Sequence, residues 1–171
     1  VADRLGLSKG TIYLYFPSKQ ELFLATVDRV MKLLHERIEG VRENHPDPLE
    51  RISRVVVEYL RFFDENPACV ELLIQERAVF RNRKLPTYFQ HGEKNVGRWQ
   101  ALYHELMDAG RVRTMPPDVI TDVLSGALYG TMFVNFFAGR EKTLEVQARQ
   151  IVDVAFRGIL SESEGLKGWR L

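Results

Sequence analysis

The stretch LSKGTIYLYFPSKQEL, residues 7–22, limits the fold of this chain more than any other segment. Ser8 is a typical helix N-cap, and Pro17 stops the short helix that follows it. Ser18 and Glu21 have the S-x-x-E spacing of a capping box, which predicts that a second helix starts there. Because a Gly-containing turn and the end of an amphipathic helix precede Ser8, the segment predicts a helix-turn-helix unit.

The rest of the sequence has helical periodicity. At two places, Asp47-Pro48 and Asn66-Pro67, an N-cap residue precedes a proline at the first helical position, which predicts the start of a helix. No run of alternating residues predicts a sheet, so the expected fold class is all-α. Further predicted helices cover the ranges 19–43, 67–81, 87–109, 118–138 and 143–160.

The domain organisation follows from these helices. We expect a helix-turn-helix head over residues 1–35, joined by the long helix to a helical core over residues 36–171. The chain begins at Val1, inside a helical pattern with no N-cap before it. Since a helix-turn-helix rests on a preceding helix, we expect the chain to be truncated at its N-terminus, with the first helix of the head missing.

Composition is that of an ordinary globular protein and does not by itself indicate a partner. The formal net charge is +1, so any affinity for DNA has to come from local charge. Within residues 1–20, Arg4, Lys9 and Lys19 oppose one acidic side chain, a mild excess. The single cysteine, Cys69, excludes an internal disulfide and is consistent with a reducing cytosol.

The short helix has the chemistry of a DNA-reading element. Free N–H groups at Ser8–Gly10 favour a phosphate, and the glycine permits close backbone approach. Thr11 and Leu14 can reach base edges in the major groove, the leucine through a thymine methyl. The alternative is a solvated helix with two partly buried tyrosines. Three side chains are suited to flanking phosphates: Tyr13, Tyr15 and Lys19.

The segment VADRLGLSKGTIYLYFPSKQELF, residues 1–23, resembles the signature of the TetR family of transcriptional repressors. The resemblance covers the Gly-Leu-Ser turn, the Tyr-x-Tyr-Phe recognition helix and the start of the connecting helix, to about residue 30. Leu14 departs from the pattern, because relatives often have a polar residue such as His there. The resemblance implies DNA-contact roles for Ser8, Lys9, Gly10, Thr11, Tyr13, Leu14, Tyr15 and Lys19.

The segment Asp118 to Ala138 is apolar nearly all round, so both of its sides have to be covered. Gly126 and Gly130 permit close helix approach, and Ala155 and Gly158 do the same on the last helix. These positions predict a two-fold four-helix interface between two copies of the chain. The alternative is a fully buried central helix within one subunit. A homodimer would place two heads about one DNA turn, or a multiple of it, apart on a near-palindromic site.

A small-molecule site is predicted among the core helices, which are rich in large aromatic side chains. Apolar walls with few polar groups are typical of such sites, although they also describe an ordinary core. The family resemblance implies that an apolar or amphipathic ligand shifts the heads apart. The candidate ligand contacts are Tyr59, Phe63, Trp99, Tyr103, Met107, Tyr129 and Phe133.

Enzyme chemistry is not indicated. The four histidines are scattered, without H-E-x-x-H or paired-carboxylate spacing, and no phosphate-cradling Gly loop or G-x-S-x-G element occurs. We therefore expect no catalytic residue, no metal and no cofactor.

Together, these features predict a TetR-like transcriptional regulator that acts as a repressor. Its core is expected to bind the ligand and to form the dimer. The expected partners are a double-stranded DNA operator, a second copy of the chain and an unknown small molecule. No signal peptide is visible, and the apolar run 123–138 falls short of a membrane span, so we expect a cytoplasmic protein with no membrane partner. The alternative is an all-helical small-molecule-binding or protein-interaction module that no longer engages DNA.

Overall fold

A computed structural model describes residues 1–157, and over this range every regular element is an α-helix. The all-α prediction is therefore confirmed. The helices are α1 (Ala2–Leu5), α2 (Lys9–Tyr15), α3 (Lys19–Asn44), α4 (Pro48–Glu65), α5 (Pro67–Val79), α6 (Thr87–Asp108), α7 (Pro117–Ala138) and α8 (Leu144–Arg157).

Several helix ends follow local sequence signals. The Asp47 carboxylate accepts hydrogen bonds from the backbone N–H groups of Leu49 and Glu50 at 3.0 and 2.9 Å, as an N-cap should. Gly110 lies just beyond α6 with φ +67°, a left-handed conformation that favours glycine. Asn66 is the N-cap residue of α5, as predicted, but its side chain does not bond to that helix, because its Nδ2 donates backwards to the Phe62 carbonyl of α4 at 2.8 Å.

The start of α6 is capped by a side chain from another helix. Its own N-cap residue, Pro86, makes no side-chain bond to the helix. Glu76 of α5, only 1% exposed, accepts the Thr87 backbone N–H at 3.0 Å and the Thr87 hydroxyl at 2.7 Å. Arg83 donates to the same carboxylate oxygen, so the buried charge is paired. This cluster ties the α5–α6 loop to the core.

Helix α4 lies at the centre of the core. It packs against α3, α5, α7 and α8 and buries most of its apolar side chains. One group of buried residues gathers around it from α3, α5, α7 and α8, and a second joins its N-terminal end to α6 and α7. Leu60, 1% exposed, lies in the first group, and Ile52 lies in the second.

Helix α3 connects the head to the core. Its 26 residues span about 39 Å at 1.5 Å per residue. Ser18 caps it, with its Oγ accepting the Glu21 backbone N–H at 3.1 Å. The helix continues without interruption through residue 35, so the boundary expected between head and core falls inside one rigid element.

Helix α7 is largely uncovered, although it is the most apolar helix described. Only Leu124 and Met132 are buried, while Val123 and Val134 are exposed. The alternative of a fully buried central helix is therefore wrong for this chain. At 22 residues, α7 is also long and apolar enough to span a membrane by length and composition, unlike the shorter run considered in the sequence. Core helices of soluble proteins meet the same criterion, so this is weak evidence for a membrane.

Candidate DNA-binding head and ligand cavity

The turn between α1 and α2 holds the short helix in place. Gly6 adopts φ +62°, which a side chain would disfavour, and the Leu7 N–H donates to the Ala2 carbonyl at 3.1 Å. Ser8 then caps α2, with its Oγ accepting the Thr11 backbone N–H at 3.0 Å. The predicted helix-turn-helix geometry is present, although α2 ends at Tyr15 rather than Phe16.

The outer face of α2 carries the side chains expected to meet DNA. Leu14 is 83% exposed, Tyr15 76% and Tyr13 48%, and no residue of α2 is fully buried. Exposing large apolar and aromatic side chains to water costs free energy, and a binding partner that covers them would remove this cost. Ile12 is half-buried on the opposite side, where the helix rests on the rest of the head.

Two of the predicted DNA contacts are already engaged within the head. The Thr11 hydroxyl lies 2.8 Å from the Ser8 Oγ and is half-buried. A base contact by Thr11 would therefore have to share or break this bond. Gly10 is exposed, and a Cβ there would meet only the Ser8 Oγ, at 3.6 Å. Lys9 and Lys19 are exposed at the first positions of α2 and α3.

A cavity of about 780 Å³ lies between α3, α4, α6 and α7. Its size is that of a site for a drug-sized molecule, and its walls are mostly apolar. Four of the predicted ligand contacts line it: Tyr59, Trp99, Tyr103 and Tyr129. The other three do not. Phe63 packs against Phe62 in the core, Met107 packs against the second core group, and Phe133 packs edge-to-face against Tyr129.

Side chains of α3 and of the start of α6 also line this cavity, and the sequence did not predict them as ligand contacts. Met31, Leu34 and Ile38 line it from α3, because the core-facing stripe of that helix passes directly into the cavity wall. Tyr88 and Phe89 line it from α6, and both rings pack against Tyr129, with centroids 4.9 and 5.3 Å away. The apolar periodicity of a helix does not distinguish side chains that line a cavity from side chains that pack in the core.

The inner end of the cavity holds a pair of bonded phenols. The hydroxyls of Tyr59 and Tyr88 lie 2.8 Å apart, and the Tyr59 hydroxyl is 3.7 Å from the Met132 sulfur. Burial raises the pKa of Tyr88 to about 12 and that of Tyr59 well above its usual range. Both phenols are therefore neutral near pH 7 and present an uncharged, weakly polar wall.

Charged side chains line the cavity from three helices: Glu39 and Arg42 of α3, Glu93 and Arg98 of α6, and Asp122 of α7. The Glu39 carboxylate accepts from Arg42 Nη1 at 2.8 Å and from Arg98 Nη1 at 3.2 Å. His91, on the same wall, is bonded through Nε2 to the Asp28 carboxylate at 2.8 Å. Among residues 1–157, no group of three or more His, Cys, Asp or Glu side chains could hold a metal ion.

The predicted interface positions lie on the open side of α7 and α8. Gly126, Gly130 and Ala155 are all exposed, and a Cβ at either glycine would meet nothing within 4 Å. Gly158 lies outside the described residues. Seven large apolar side chains are exposed on the same two helices: Val119, Val123, Val134, Phe137, Val146, Val154 and Phe156.

The head is the part of the chain that matches a known protein family. Residues 1–26 match the family profile described as "Bacterial regulatory proteins, tetR family". The head of this chain is therefore similar to that of TetR-family regulators. The match covers α1, α2 and the first turns of α3, which are the elements that build the exposed helix-turn-helix.

Curated relatives are similar to about half of the chain. The nucleoid occlusion factor SlmA of Vibrio campbellii is 31% identical over 85 residues, which cover 50% of this chain and 43% of that protein. SlmA of Haemophilus ducreyi is 26% identical over 85 residues, covering 50% of this chain and 42% of that protein. The chain thus spans under half the length of these relatives.

Solved structures of TetR-family regulators share the fold over nearly the whole chain. PfmR of Thermus thermophilus matches with a TM-score of 0.73 at 22% identity, over 94% of this chain and 87% of that one. FadR of Bacillus subtilis, in complex with stearoyl-CoA, matches with a TM-score of 0.74 at 15% identity, over 93% and 86%. At these identities the likeness shows the TetR-family fold and nothing further.

Proposed function

We propose that this protein is a transcriptional regulator, acting as a repressor, that binds a near-palindromic operator as a homodimer and leaves it when a small apolar or amphipathic ligand occupies the cavity. The observation that carries the proposal is the capped helix α2, whose outer face exposes Tyr13, Leu14 and Tyr15. Regulators of this kind act in the cytoplasm, where a lone free thiol at Cys69 stays reduced.

In this proposal the two lysines and two tyrosines of the head bind phosphates, and Leu14 contacts bases. The N-terminus of α2 offers backbone N–H groups beside Lys9, and Gly10 leaves room for a phosphate to approach. Leu14 is the most exposed large apolar side chain in the described chain, which suits contact with a thymine methyl. Thr11 contributes to positioning through its bond to Ser8.

The homodimer is supported by the open apolar face of α7 and α8. The exposed stripe on α7 recurs at helical spacing, from Val123 through Gly126 and Gly130 to Val134 and Phe137. Small residues in the middle of the stripe let a second helix approach closely, and the larger residues at its ends supply apolar area. A second copy of the chain that covers this face would form a four-helix interface from two α7–α8 pairs.

The ligand is supported by the size and walls of the cavity. Its 780 Å³ exceed what one or two buried waters would fill, and aromatic and aliphatic side chains cover most of it. Three structural neighbours are named for fatty acids or bind an acyl-CoA: the fatty acid metabolism regulator of Clostridium perfringens, FadR of Bacillus subtilis in complex with stearoyl-CoA, and the fatty acid degradation regulator FadR of Bacillus halodurans. We propose an acyl-chain compound as the ligand class.

DNA binding by the intact protein tests the proposal. Fluorescence anisotropy with fragments of the protein's own upstream region should show specific binding that weakens steeply with salt. Lys9→Ala should weaken binding to all fragments and lower the salt slope by about one, because one phosphate contact is lost. Tyr13→Ala should also weaken binding. Arg54→Ala, an exposed charge on α4 paired with Glu50, is the control and should leave binding unchanged.

The runner-up is an all-helical small-molecule-binding or protein-interaction module. The apolar Leu14 at a position where relatives often have a polar reader favours it. Specific binding to an upstream fragment that disappears in the Lys9→Ala and Tyr13→Ala variants would exclude it. Binding that neither substitution affects would overturn the regulator.

A further inference from the structure

We propose that Arg42 and Arg98 form a head-group site at one end of the cavity, where the anionic head of a single-chain amphiphile takes the place of the Glu39 carboxylate. The inference rests on the proposed ligand function and specifies the chemistry of the ligand: an apolar chain with one carboxylate or phosphate. The three side chains will be called the arginine clasp.

The clasp closes the cavity between two helices. Glu39 and Arg42 lie one turn apart on α3, and Arg98 reaches the same carboxylate from α6. All three line the cavity. Both guanidinium groups meet Glu39 through Nη1, and Arg42 bonds both carboxylate oxygens at 2.8 Å. Their Nε and Nη2 donors lie outside these bonds, and a planar guanidinium can offer them to a second anion.

The clasp lies at the opposite end of the cavity from the bonded tyrosines. Helix α6 runs parallel to α3 here, since His91 meets Asp28 and Arg98 meets Glu39 further along both helices. Tyr88 precedes His91 by one turn, so it lies at the far end. Ten residues of helix separate Tyr88 from Arg98, about 15 Å. The cavity therefore has an aromatic end with neutral phenols and an end that holds two guanidinium groups, while the carboxylates of Glu93 and Asp122 also line the cavity from α6 and α7.

The two guanidinium groups that now pair with Glu39 are better suited to an anionic head group than to a cationic or a neutral one. A guanidinium pair that already holds a carboxylate has the geometry to hold another, and charge-assisted bonds of this kind are the strong ones. A cationic head would have to approach two guanidinium groups to reach Glu39. Arg98 is 60% exposed, so its side chain can swing from Glu39 to a ligand without disturbing the core.

Binding of matched amphiphiles to the intact protein tests the clasp. Isothermal titration with dodecanoate, dodecyl phosphate and dodecanol compares two anionic heads with a neutral head on one chain length. We expect the anionic compounds to bind about tenfold or more tightly than the alcohol. Comparing dodecanoate with dodecyl phosphate then shows which of the two anionic heads the site prefers.

Three variants and a control separate recognition from stability. Arg98→Gln and Arg42→Gln should reduce the preference for anions to about twofold or less, while the affinity for dodecanol stays within about twofold. Glu39→Gln should raise the affinity for dodecanoate several-fold, because it removes the competing carboxylate. A merely structural ion pair would not produce this gain. Arg54→Gln, which removes an exposed arginine of α4 outside the cavity, should leave all three affinities unchanged.

The outcomes are distinct. Equal affinity for dodecanoate and dodecanol, or tighter binding of dodecyltrimethylammonium, would overturn the clasp and leave the acyl ligand standing. Failure of all probes to bind would overturn both the clasp and the acyl ligand, while the anisotropy assay still reports on the head. Loss of anion preference in the arginine variants, with a gain in Glu39→Gln, would establish the clasp.

Discussion

His91 Nε2 donates a hydrogen bond to Asp28 Oδ1 at 2.8 Å, and this bond joins the wall of the cavity to the helix that carries the head. His91 lines the cavity from α6, whereas Asp28 lies on α3, less than three turns from its first residue. Lys32 bonds the other carboxylate oxygen at 2.7 Å. Hydrogen bonds from Lys32 and then His91 lower the pKa of Asp28, so the carboxylate is ionised and accepts both.

Asp28→Ala should weaken the link between ligand and DNA without removing either binding activity. Coupling between two sites is typically 1–3 kcal/mol, so we expect the ligand-induced change in operator affinity to fall about fivefold. The measurement is operator affinity by anisotropy with and without dodecanoate. Lys32→Ala removes the other partner of Asp28 and should leave the coupling intact. Equal coupling in Asp28→Ala and the unsubstituted protein would contradict this role.

Glu76→Ala should be strongly destabilising. It leaves the start of α6 uncapped and Arg83 without its partner, and loss of one member of a buried pair costs about 3–5 kcal/mol. Urea unfolding, monitored by circular dichroism, measures the free energy of unfolding. Glu71→Ala, on an exposed turn of the same helix, should change it by no more than about 0.5 kcal/mol. A cost below about 1 kcal/mol for Glu76→Ala would show that the cap is dispensable.

Leu14→Ala should alter DNA binding but not stability. The side chain is 83% exposed and has little packing to lose, so the free energy of unfolding should stay within about 0.5 kcal/mol. Loss of a base contact should cost about 1–3 kcal/mol of operator affinity and relax the preference at one base pair. Anisotropy with an operator and its single-base variants measures both effects. If Leu14→Ala weakens binding equally to the operator and to all its single-base variants, Leu14 contacts the DNA backbone and not a base.

Val123→Glu should convert the homodimer to monomers. The side chain is 62% exposed on α7, and a charge there would be buried without a partner in the proposed interface. Val79→Glu makes the same change at a 65% exposed valine of α5 and should leave the dimer intact. Light scattering after size exclusion, at micromolar concentration, reports the mass. A monomeric unsubstituted protein would rule out the interface.

Stability should fall as the pH rises above about 10. The pKa of Tyr88 rises from 10.0 to about 12 through burial, so between these values the unfolded chain ionises while the folded phenol stays neutral. The unfolded state then binds fewer protons, and the free energy of unfolding decreases with pH. Urea unfolding across this range should show a shallower decrease for Tyr88→Phe, with the remainder supplied by Tyr59, Tyr103 and Tyr129, whose pKa values burial also raises. An identical decrease in both proteins would mean that Tyr88 is not protected by the fold.

The local signals of the head and of α4 could be predicted well. Ser8, Ser18 and Asp47 act as N-caps because a short polar side chain beside free backbone N–H groups needs no distant partner. At Asn66 the predicted N-cap position is correct, but the side chain donates to a carbonyl of the preceding helix instead of capping α5. Local chemistry is thus predictive where one partner is in reach and ambiguous where two are.

The ligand cavity could be predicted only in part. Four of the seven proposed contacts line it, since large aromatic residues on α4, α6 and α7 suggest a shared space. Phe63 and Met107 have the same residue character and periodicity but pack into solid core. Whether an apolar side chain faces a void or another side chain depends on how four helices cross, and a periodic pattern does not contain that information.

The sequence by itself determined the helices, the N-caps at Ser8, Ser18 and Asp47 and the exposed side chains of α2, because these depend on residues within a turn or two of each other. Only the tertiary structure decided that Glu76 caps α6, that Asp28 meets His91, and that two arginines share Glu39. The bonds of Glu76 to Thr87, Asp28 to His91 and Glu39 to Arg98 join residues 11 to 63 positions apart, and they form only after packing has brought the helices together.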